Sequence, residues 1–533
     1  MTLDTDVAIV GAGPTGTLLA ILLGKEGKRV TLIERWPTIY DRPRAVTMDH
    51  EVARILATFG IDADNDSAIE YHEELYYWKN AALENLQLVD WKSVSPSGWR
   101  VTYWFNQPEL EARLHGIAEE IPSINLIRGW EAKTLLEDSQ GVTVGLQETE
   151  ELVGADGRQQ NVRARYVVGC DGANSFVREQ LGINVIDKGY FFDWLILDMV
   201  PHGDYKMSPA QWQLCDPQRP TTLVPGGPGR RRWEFMVRPE ESTEEIAKPE
   251  SAWKLLEPWG LSPDNATLER SAVYRFQARW AEQWRVGRCL IAGDAAHLMP
   301  PFAGEGMCAG FRDAVALSWR LNAIIEGKLG DAVLDSYVSE RIHHAKHYID
   351  FSQQLGNIIC ISDPEKAAQR DREMKAELDA RNHEPITGDL VHLGTGVWCE
   401  DTPAAGELST QGVVEANGKR DRFDQAVGVG WMVIGLDTNP ADALTDAQCL
   451  ALRRLDGKTI KIGAPGTVCD AVDIEGTYAT WMTSIDARYF ILRPDFYVAA
   501  TANSEADLCR RFDEVLHKLK FNQGQQAVVD IRI

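Results

Sequence analysis

A short β-branched run, Asp6–Val10 (DVAIV), ends on GAGPTG at residues 11–16. Continuous apolar character over so few residues suits a strand buried on both faces, as in a parallel sheet. Thr17–Glu26 (TLLAILLGKE) then carries a broad apolar helical face, and Arg29–Glu34 (RVTLIE) reads as a second buried strand. The same succession recurs twice. In Tyr166–Arg178 (YVVGCDGANSFVR) a strand runs into Asp171-Gly172 and a helix starts near Ser175. In Arg288–Gly310 the strand CLIAG meets Asp294, a Pro-rich loop follows, and Gly304 and Gly306 open a helix through Phe311–Leu321. RRRWEFMV (230–237) alternates instead: Arg232, Glu234 and Met236 share one strand face, Trp233 and Phe235 the other. Aromatic residues are dense between Tyr71 and Phe105 and at Tyr190–Trp194, which suits a ring-binding wall and equally an ordinary sheet core.

The texture changes in the second half. Segment 331–378 reads as helix with Lys, Glu and His at surface spacing, and 380–405 holds the turn formers and prolines of a linker. Strand-like runs follow at 430–435, 459–462, 489–493 and 496–500, the last two flanking the turn Pro494-Asp495. Ser504 to Asp507 opens a helix with a capping-box pattern.

A chain of 533 residues has room for about three domains. Its net charge of -24 argues against nucleic acid and anionic membrane as partners. No stretch reaches the roughly 18–20 apolar residues of a membrane span. MTLDTD is acidic and leads straight into a strand, unlike a secretory signal. The nine cysteines form no CxxC pair and no cluster with metal-ligand spacing, so reduced thiols in a cytoplasmic protein, with no metal, are expected.

GAGPTG sits in the strand–turn–helix context of a dinucleotide site. Gly11 permits the tight turn, Gly13 lets phosphate approach the backbone past Pro14 and Thr15, and Gly16 lets helix and strand pack closely. The helix N-terminus would carry the pyrophosphate. Glu34, beside Arg35, ends the second strand where a carboxylate accepts from ribose hydroxyls and repels a 2′-phosphate, which argues against NADP at this turn. FAD and NAD remain undivided by these residues alone. A flavin is longer than one such unit covers, and Asp294 could meet ribityl hydroxyls while the glycine-lined helix start approaches the isoalloxazine edge.

GAGPTG, the Asp171-Gly172 stretch and GDAAHLMPP with its following glycines stand in the order of the class A flavoprotein monooxygenases, the p-hydroxybenzoate hydroxylase type, which this chain resembles over roughly residues 1–375. RPRAVTMDHE (42–51), FNQPELE (105–111), RRRWEF and GEGMCAGFRDA (304–314) most resemble the 3-(3-hydroxyphenyl)propionate hydroxylase branch. The resemblance implies an α/β fold: a Rossmann-type (GR2-type) FAD-binding domain (1–70, 107–183, 275–330) interleaved with a β-sheet substrate domain (71–106, 184–274). A helical segment and linker (331–405) and a thioredoxin-like C-terminal domain (406–533), suited to packing or a homodimer contact, would follow. It implies bound FAD, NADH or NADPH as transient reductant, O2, and a small phenolic substrate hydroxylated ortho or para to its hydroxyl through a flavin C4a-hydroperoxide. The same fold also serves larger or non-phenolic substrates such as antibiotics, and a non-enzymatic flavin redox sensor is the third reading.

At matching positions Arg44 would approach the cofactor pyrophosphate, Gln107 the flavin side, and Asp171, Asp294, Pro301, Gly304, Gly306 and Met307 the rest of the FAD. Arg44 as a surface charge and Gln107 as a helix cap are the alternatives. Glu305 stands where the family has Gln, an acid beside a flavin that becomes anionic. Val46 occupies the position of the Asp or His base of related phenol hydroxylases, which leaves His50 and Asp49 as candidate catalytic groups. Either Thr47 or Asp49 capping a helix from Glu51, with His50 in its first turn, competes with that reading. His297 beside the flavin loop is a further candidate base. Arg232 and Trp233 are the candidate substrate contacts, Arg232 for a carboxylate, against a cross-strand pair with an acid.

Overall fold

The computed structural model describes residues 3–149, 157–203, 205, 210–388 and 391–520. The remaining parts of the expected segments (1–2, 150–156, 204, 206–209, 389–390 and 521–533) lie outside the described residues. The chain divides into two compact units: Met1–Ser95 with Trp99–Ala314 and Ala345–Asp389, and Pro96–Gly98 with Val315–His344 and Leu390–Ile533. The expected flavin and substrate segments up to residue 314, apart from Pro96–Gly98, therefore share one unit, while 315–344 groups with the C-terminal half.

Two eight-stranded sheets build the first unit. In one, the neighbours Cys289–Ile291, Gln159–Gly169, Thr5–Val10, Val30–Glu34 and Ile124–Arg128 run parallel. Thr5–Val10 lies at its centre and is almost wholly buried, as its unbroken apolar character requires. The helix Pro14–Lys25 leaves directly from it, with Pro14 at the first turn, where its missing N–H costs nothing. Thr5–Val10 and Gln159–Gly169 both end beside the Gly11 turn, as Cys170 N donates to Val10 O.

The second sheet is mixed, and its long strands Val185–Pro201, Arg231–Met236 and Ala266–Ala281 alternate as the pleat demands. One face carries Leu195, Leu197, Trp233 and Phe235 and packs on Ala252 and Leu256 of the helix Pro249–Leu256. The other carries Ile196, Asp198, Arg232, Glu234 and Arg270 in adjoining registers.

The second unit contains a seven-stranded sheet. Met432–Leu436 and Lys458–Gly463 pair in parallel around the helix Asp446–Arg454. The hairpin Tyr489–Leu492 and Val498–Ala502 and the helix Glu505–Lys518 complete a thioredoxin-like order. Ser504 caps that helix by accepting from Asp507 N. Val413–Ala416, Lys419–Arg422 and Ala471–Asp473 extend the sheet, which the sequence pattern had not predicted. All nine cysteines are unpaired. No helix among the described residues is long and apolar enough to cross a membrane.

Glu340 is fully buried in this unit between Arg320 (2.6 Å) and Arg493 (2.7 Å), and Asp495 shares Arg493. Burial pushes the Glu340 carboxyl up, but the two guanidinium groups outweigh it and hold it at about 2. Its folded-state value is thus depressed, and the stability it contributes is present above the ordinary carboxylate range and lost as pH falls towards 2. Glu340→Gln leaves two buried cations undercompensated and costs on the order of 3–5 kcal/mol. Thermal unfolding should show a lower midpoint at pH 7 and a flatter loss of stability between pH 5 and 3 than in the wild type.

Candidate active site

A cavity of about 500 Å³ runs between the two sheets of the first unit. Gly13, Pro14 and Thr15 line it from the parallel sheet, and Asp294, Pro301, Gly304, Gly306 and Met307 from the loop before the helix Gly306–Ile325. Tyr76, Trp91, Tyr274, Phe276 and Phe302 supply its aromatic walls.

The glycine turn is built by close approach. A Cβ on Gly16 would collide with the Gly11 carbonyl, and one on Gly11, at φ +103°, with the Cys170 carbonyl. A Cβ on Gly13 would meet nothing within 4 Å. That open cradle at a helix N-terminus suits a pyrophosphate. Asp294 suits the same ligand: it lines the cavity and is open to it, no described residue donates to it, and desolvation by the protein atoms crowded around it raises its pKa. These residues fit an extended flavin dinucleotide in one continuous space.

Glu34 accepts from Ala12 N (2.8 Å) and Trp36 N (2.9 Å), so it clamps the turn while one lone pair remains on each oxygen. Arg35 does not line the cavity, because its guanidinium packs on Trp36 at 4.9 Å. Asp171 does not line it either. It accepts from Ser175 Oγ (2.5 Å) and Val177 N (3.0 Å) and so fixes the start of the helix Phe176–Gln180.

Gln107 has a role that sequence left between two readings. Asn106 is the cap of the helix Gln107–Glu120, which leaves the Gln107 oxygen to accept from Arg44 N (2.8 Å) and Ala45 N (2.6 Å). Its amide donates to Glu111 at 2.6 Å. Arg44, held by this backbone clasp, points a half-exposed side chain into the cavity.

His50 and Asp49 are not in position to meet a substrate. Asp49 caps the helix His50–Ala57 by accepting from Val52 N at 2.9 Å, and it also binds Arg312. Burial pushes Asp49 up, yet Arg312 and His50 together keep its carboxyl below the usual range. His50 sits in the first turn, and burial lowers its pKa against the pull of Asp49 and Glu51. Neither lines the cavity. Glu305 turns to the same guanidinium: Arg312 binds Glu51 at 2.6 Å and Glu305 at 2.8 Å. Three carboxylates thus share one cation, and burial pushes Glu305 up to about 7 despite Arg312, with Asp49 and Glu51 adding to the rise. Asp49, Glu305 and Cys308 approach one another closely enough for a metal, but the Arg312 charge already serves both carboxylates.

Arg232 is spent on structure. Its Nε and Nη2 grip Asp198 at 2.7 and 3.1 Å, and Nη1 and Nη2 donate to the carbonyls of Arg44 (2.7 Å) and Pro43 (3.1 Å). A cross-strand acid therefore holds it, and no donor pair is left for a substrate carboxylate. Trp233 is fully buried in the apolar cluster on the opposite sheet face and cannot form a cavity wall. His297 lines the cavity but binds Asp313 at 2.8 Å, and Asp313 also accepts from Gly293 N. Glu234 and Arg270 are among the cavity residues missed as site candidates. Glu234 was recognised only as sharing the Arg232 face, and Arg270 not at all. Arg270 is buried, with no acceptor for its Nε or Nη2.

The sequence matches the FAD binding domain family over residues 4–352 and the HcaD C-terminal domain over 406–517. It is 33% identical over 505 residues to a probable NADH-specific resorcinol 4-hydroxylase of Rhodococcus jostii (strain RHA1), covering 94% of this chain and 93% of that one. It is 30% identical over 523 residues to the 3-(3-hydroxy-phenyl)propionate/3-hydroxycinnamic acid hydroxylase of Escherichia coli O81 (strain ED1a), covering 94% and 92%. Among solved structures, aklavinone-11 hydroxylase with FAD and aklavinone shares the fold at TM-score 0.76 and 23% identity, over 97% of this chain and 99% of that one.

The Arg312 cluster makes a pH-dependent prediction. Because the folded state raises the Glu305 pKa, its contribution to stability is present below the ordinary carboxylate range and lost as pH rises through about 7. Glu305→Gln removes that loss. Its thermal midpoint should fall less than the wild type's between pH 5 and 8, by a few degrees, while a parallel pair of curves would show that Glu305 is ionised throughout.

Proposed function

Because the chain belongs to the FAD-binding-domain family, the class A flavoprotein aromatic hydroxylases, we propose a small phenol with a second substituent meta to its hydroxyl as its substrate. The protein is an FAD- and NAD(P)H-dependent aromatic monooxygenase. The finer reading draws on what the curated relatives' names share: resorcinol and 3-(3-hydroxyphenyl)propionate are both 3-substituted phenols. It is supported by the cavity itself, in which Gly13 of the glycine turn and the aromatic walls line one space.

Bound FAD, reduced by the nicotinamide, supplies the activated oxygen atom. The residues of the chain do the rest. Gly11, Gly13 and Gly16 shape the pyrophosphate cradle, Pro14 and Thr15 present the helix N-terminus, and Glu34 takes a ribose hydroxyl on its remaining lone pairs. Arg44 would hold the pyrophosphate, and Asp294 would accept from ribityl hydroxyls; both line the cavity. Pro301, Gly304, Gly306 and Met307 flank the ring system, with Gly304 at φ +72° and too close to Thr47 to carry a side chain. Tyr76, Trp91, Tyr274, Phe276 and Phe302 hold the substrate ring by apolar and edge-on contact and exclude water.

The purified protein should be yellow, and resorcinol or 3-(3-hydroxyphenyl)propionate should stimulate NADH oxidation with formation of hydroxylated product. Stimulated oxidation that yields only peroxide with every phenol would remove the substrate assignment. Glu34→Arg should weaken FAD retention roughly tenfold or more, about 1.4 kcal/mol. Unchanged flavin occupancy in that variant would refute the ribose contact.

A further inference from the structure

We propose that Glu234 is the catalytic base that takes the ring hydroxyl proton of the substrate, an assignment that rests on the hydroxylase reading of this cavity. Glu234 stands in the middle of the second sheet, paired in register with Ile196 on one side and Thr222 on the other. Its side chain is 13% exposed, and it lines the cavity with Tyr76, Gln213 and Thr222. No described residue donates a hydrogen bond to it. The nearby donors are committed elsewhere: Tyr76 Oη and Thr222 Oγ1 both donate to the Gln213 oxygen (3.2 and 2.8 Å), and Arg232 Nη1 is 3.8 Å away, bonded to Arg44 O. A carboxylate inside an aromatic chamber with all its lone pairs open is a proton acceptor awaiting a donor.

The charges around Glu234 suit that task. Arg232 lies on its own strand, Asp198 and Arg270 on the two strands beyond, and Tyr76 across the cavity wall. Burial pushes its carboxyl up to about 7, against Arg232 and Arg270 and with Asp198. Both ionisation states are then populated near neutrality, as a base that must be reset each turnover requires. Arg270, whose Nε and Nη2 lack acceptors, leaves net positive potential on the same face, which favours the phenolate the step produces.

The step balances within the established activity. The hydroxyl proton passes to a Glu234 oxygen, and the released electron pair enriches the ortho and para ring carbons. One of these carbons gains the hydroxyl group that O2 and the nicotinamide hydride supply through FAD, and the second oxygen of O2 leaves as water. That carbon then sheds its hydrogen as a proton while Glu234 returns its own to the ring oxygen, so the residue ends as it began. Candidate bases elsewhere are excluded by placement or partners: Asp49 and His50 lie outside the cavity, and His297 is tied to Asp313.

The test uses the FAD-loaded enzyme with resorcinol and with fluorinated phenols of graded acidity. Glu234→Gln should keep its FAD and bind resorcinol within a few-fold, yet lose roughly 100- to 10,000-fold in kcat. The loss should shrink as the phenol becomes more acidic, since such phenols ionise unaided. Glu234→Asp should recover part of kcat. Independently of any variant, the wild-type kcat/KM should rise with pH through about 7, because the base works deprotonated. The ultraviolet difference spectrum of bound phenol should show phenolate appearing over the same range. A Glu234→Gln enzyme with an unchanged pH profile and an equal loss for all phenols overturns the assignment, as does a wild-type phenolate signal that is flat across pH 6–8. Wild-type product formation in the same assays separates the two ideas: no hydroxylated product from any phenol sinks the hydroxylase substrate reading, whereas product with Glu234-independent pH behaviour sinks this one alone.

Discussion

Three residues of backbone, Pro43 to Ala45, are held from opposite sides, and the cavity depends on that grip. Arg232 takes the carbonyls of Pro43 and Arg44 while Gln107 takes the amides of Arg44 and Ala45, and Arg270 adds a donor to Pro43 O. Asp198 anchors Arg232 from below and Glu111 anchors Gln107. An otherwise irregular segment is thereby fixed between the sheet carrying the aromatic walls and the helix Gln107–Glu120. Buried charge-assisted bonds of this kind are expensive to assemble and still more expensive to leave half made. Their use here goes with a job that apolar packing does poorly, which is to aim one backbone segment, and with it the Arg44 side chain, in one direction.

Local chemistry was legible in the sequence, and long-range pairing was not. Pro14–Lys25 and Phe176–Gln180 appear where GAGPTG and the Ser175 cap put them, because turn, cap and apolar face all lie within a few residues. The alternation of 230–237 correctly separated Arg232 and Glu234 from Trp233. What it could not supply was the partner. Asp198 is 34 residues from Arg232, and only strand register decides that this acid, rather than Glu234, receives the guanidinium. Trp233 was misplaced for a related reason: both faces of this sheet are buried, so an aromatic residue on either face looks like a possible wall. Asn106 and Gln107 differ by one position, and polarity alone does not say which caps and which reaches across to the loop. The strands Val413–Ala416, Lys419–Arg422 and Ala471–Asp473 are too short and too polar to register as periodic runs.

Three glutamates, Glu340 fully buried and Glu305 and Glu234 partly so, show how cation count sets carboxyl chemistry. Glu340 has two arginines and a backbone donor from Val397, and it is held at about 2. Glu305 shares one arginine with two other acids and is pushed up to about 7. Glu234 has an arginine nearby but no donated hydrogen bond, and it too reaches about 7. Burial is the first cause in all three, so what separates them is how much unshared cationic charge and how many donors each carboxylate receives. The residue with a full set of partners is structural, and the one facing an open chamber without donors has chemistry left to do.

The departure from family pattern at residue 305 follows from the same accounting. An acid in place of Gln beside a flavin would oppose negative charge on the reduced ring if it pointed there, but Glu305 turns to Arg312 instead, away from the cavity that Gly304 and Gly306 line. Asp49 and Glu51 already load that arginine, so Glu305 is the member most easily protonated, and a neutral Glu305 keeps the local charge near balance. The flavin side of the cavity therefore holds Asp294 as its uncommitted acid, and the aromatic side holds Glu234. In the proposed reading the two carboxylates open to a ligand take different partners: Asp294 would meet the hydroxyls of the extended cofactor, and Glu234 the one proton a phenol has to lose.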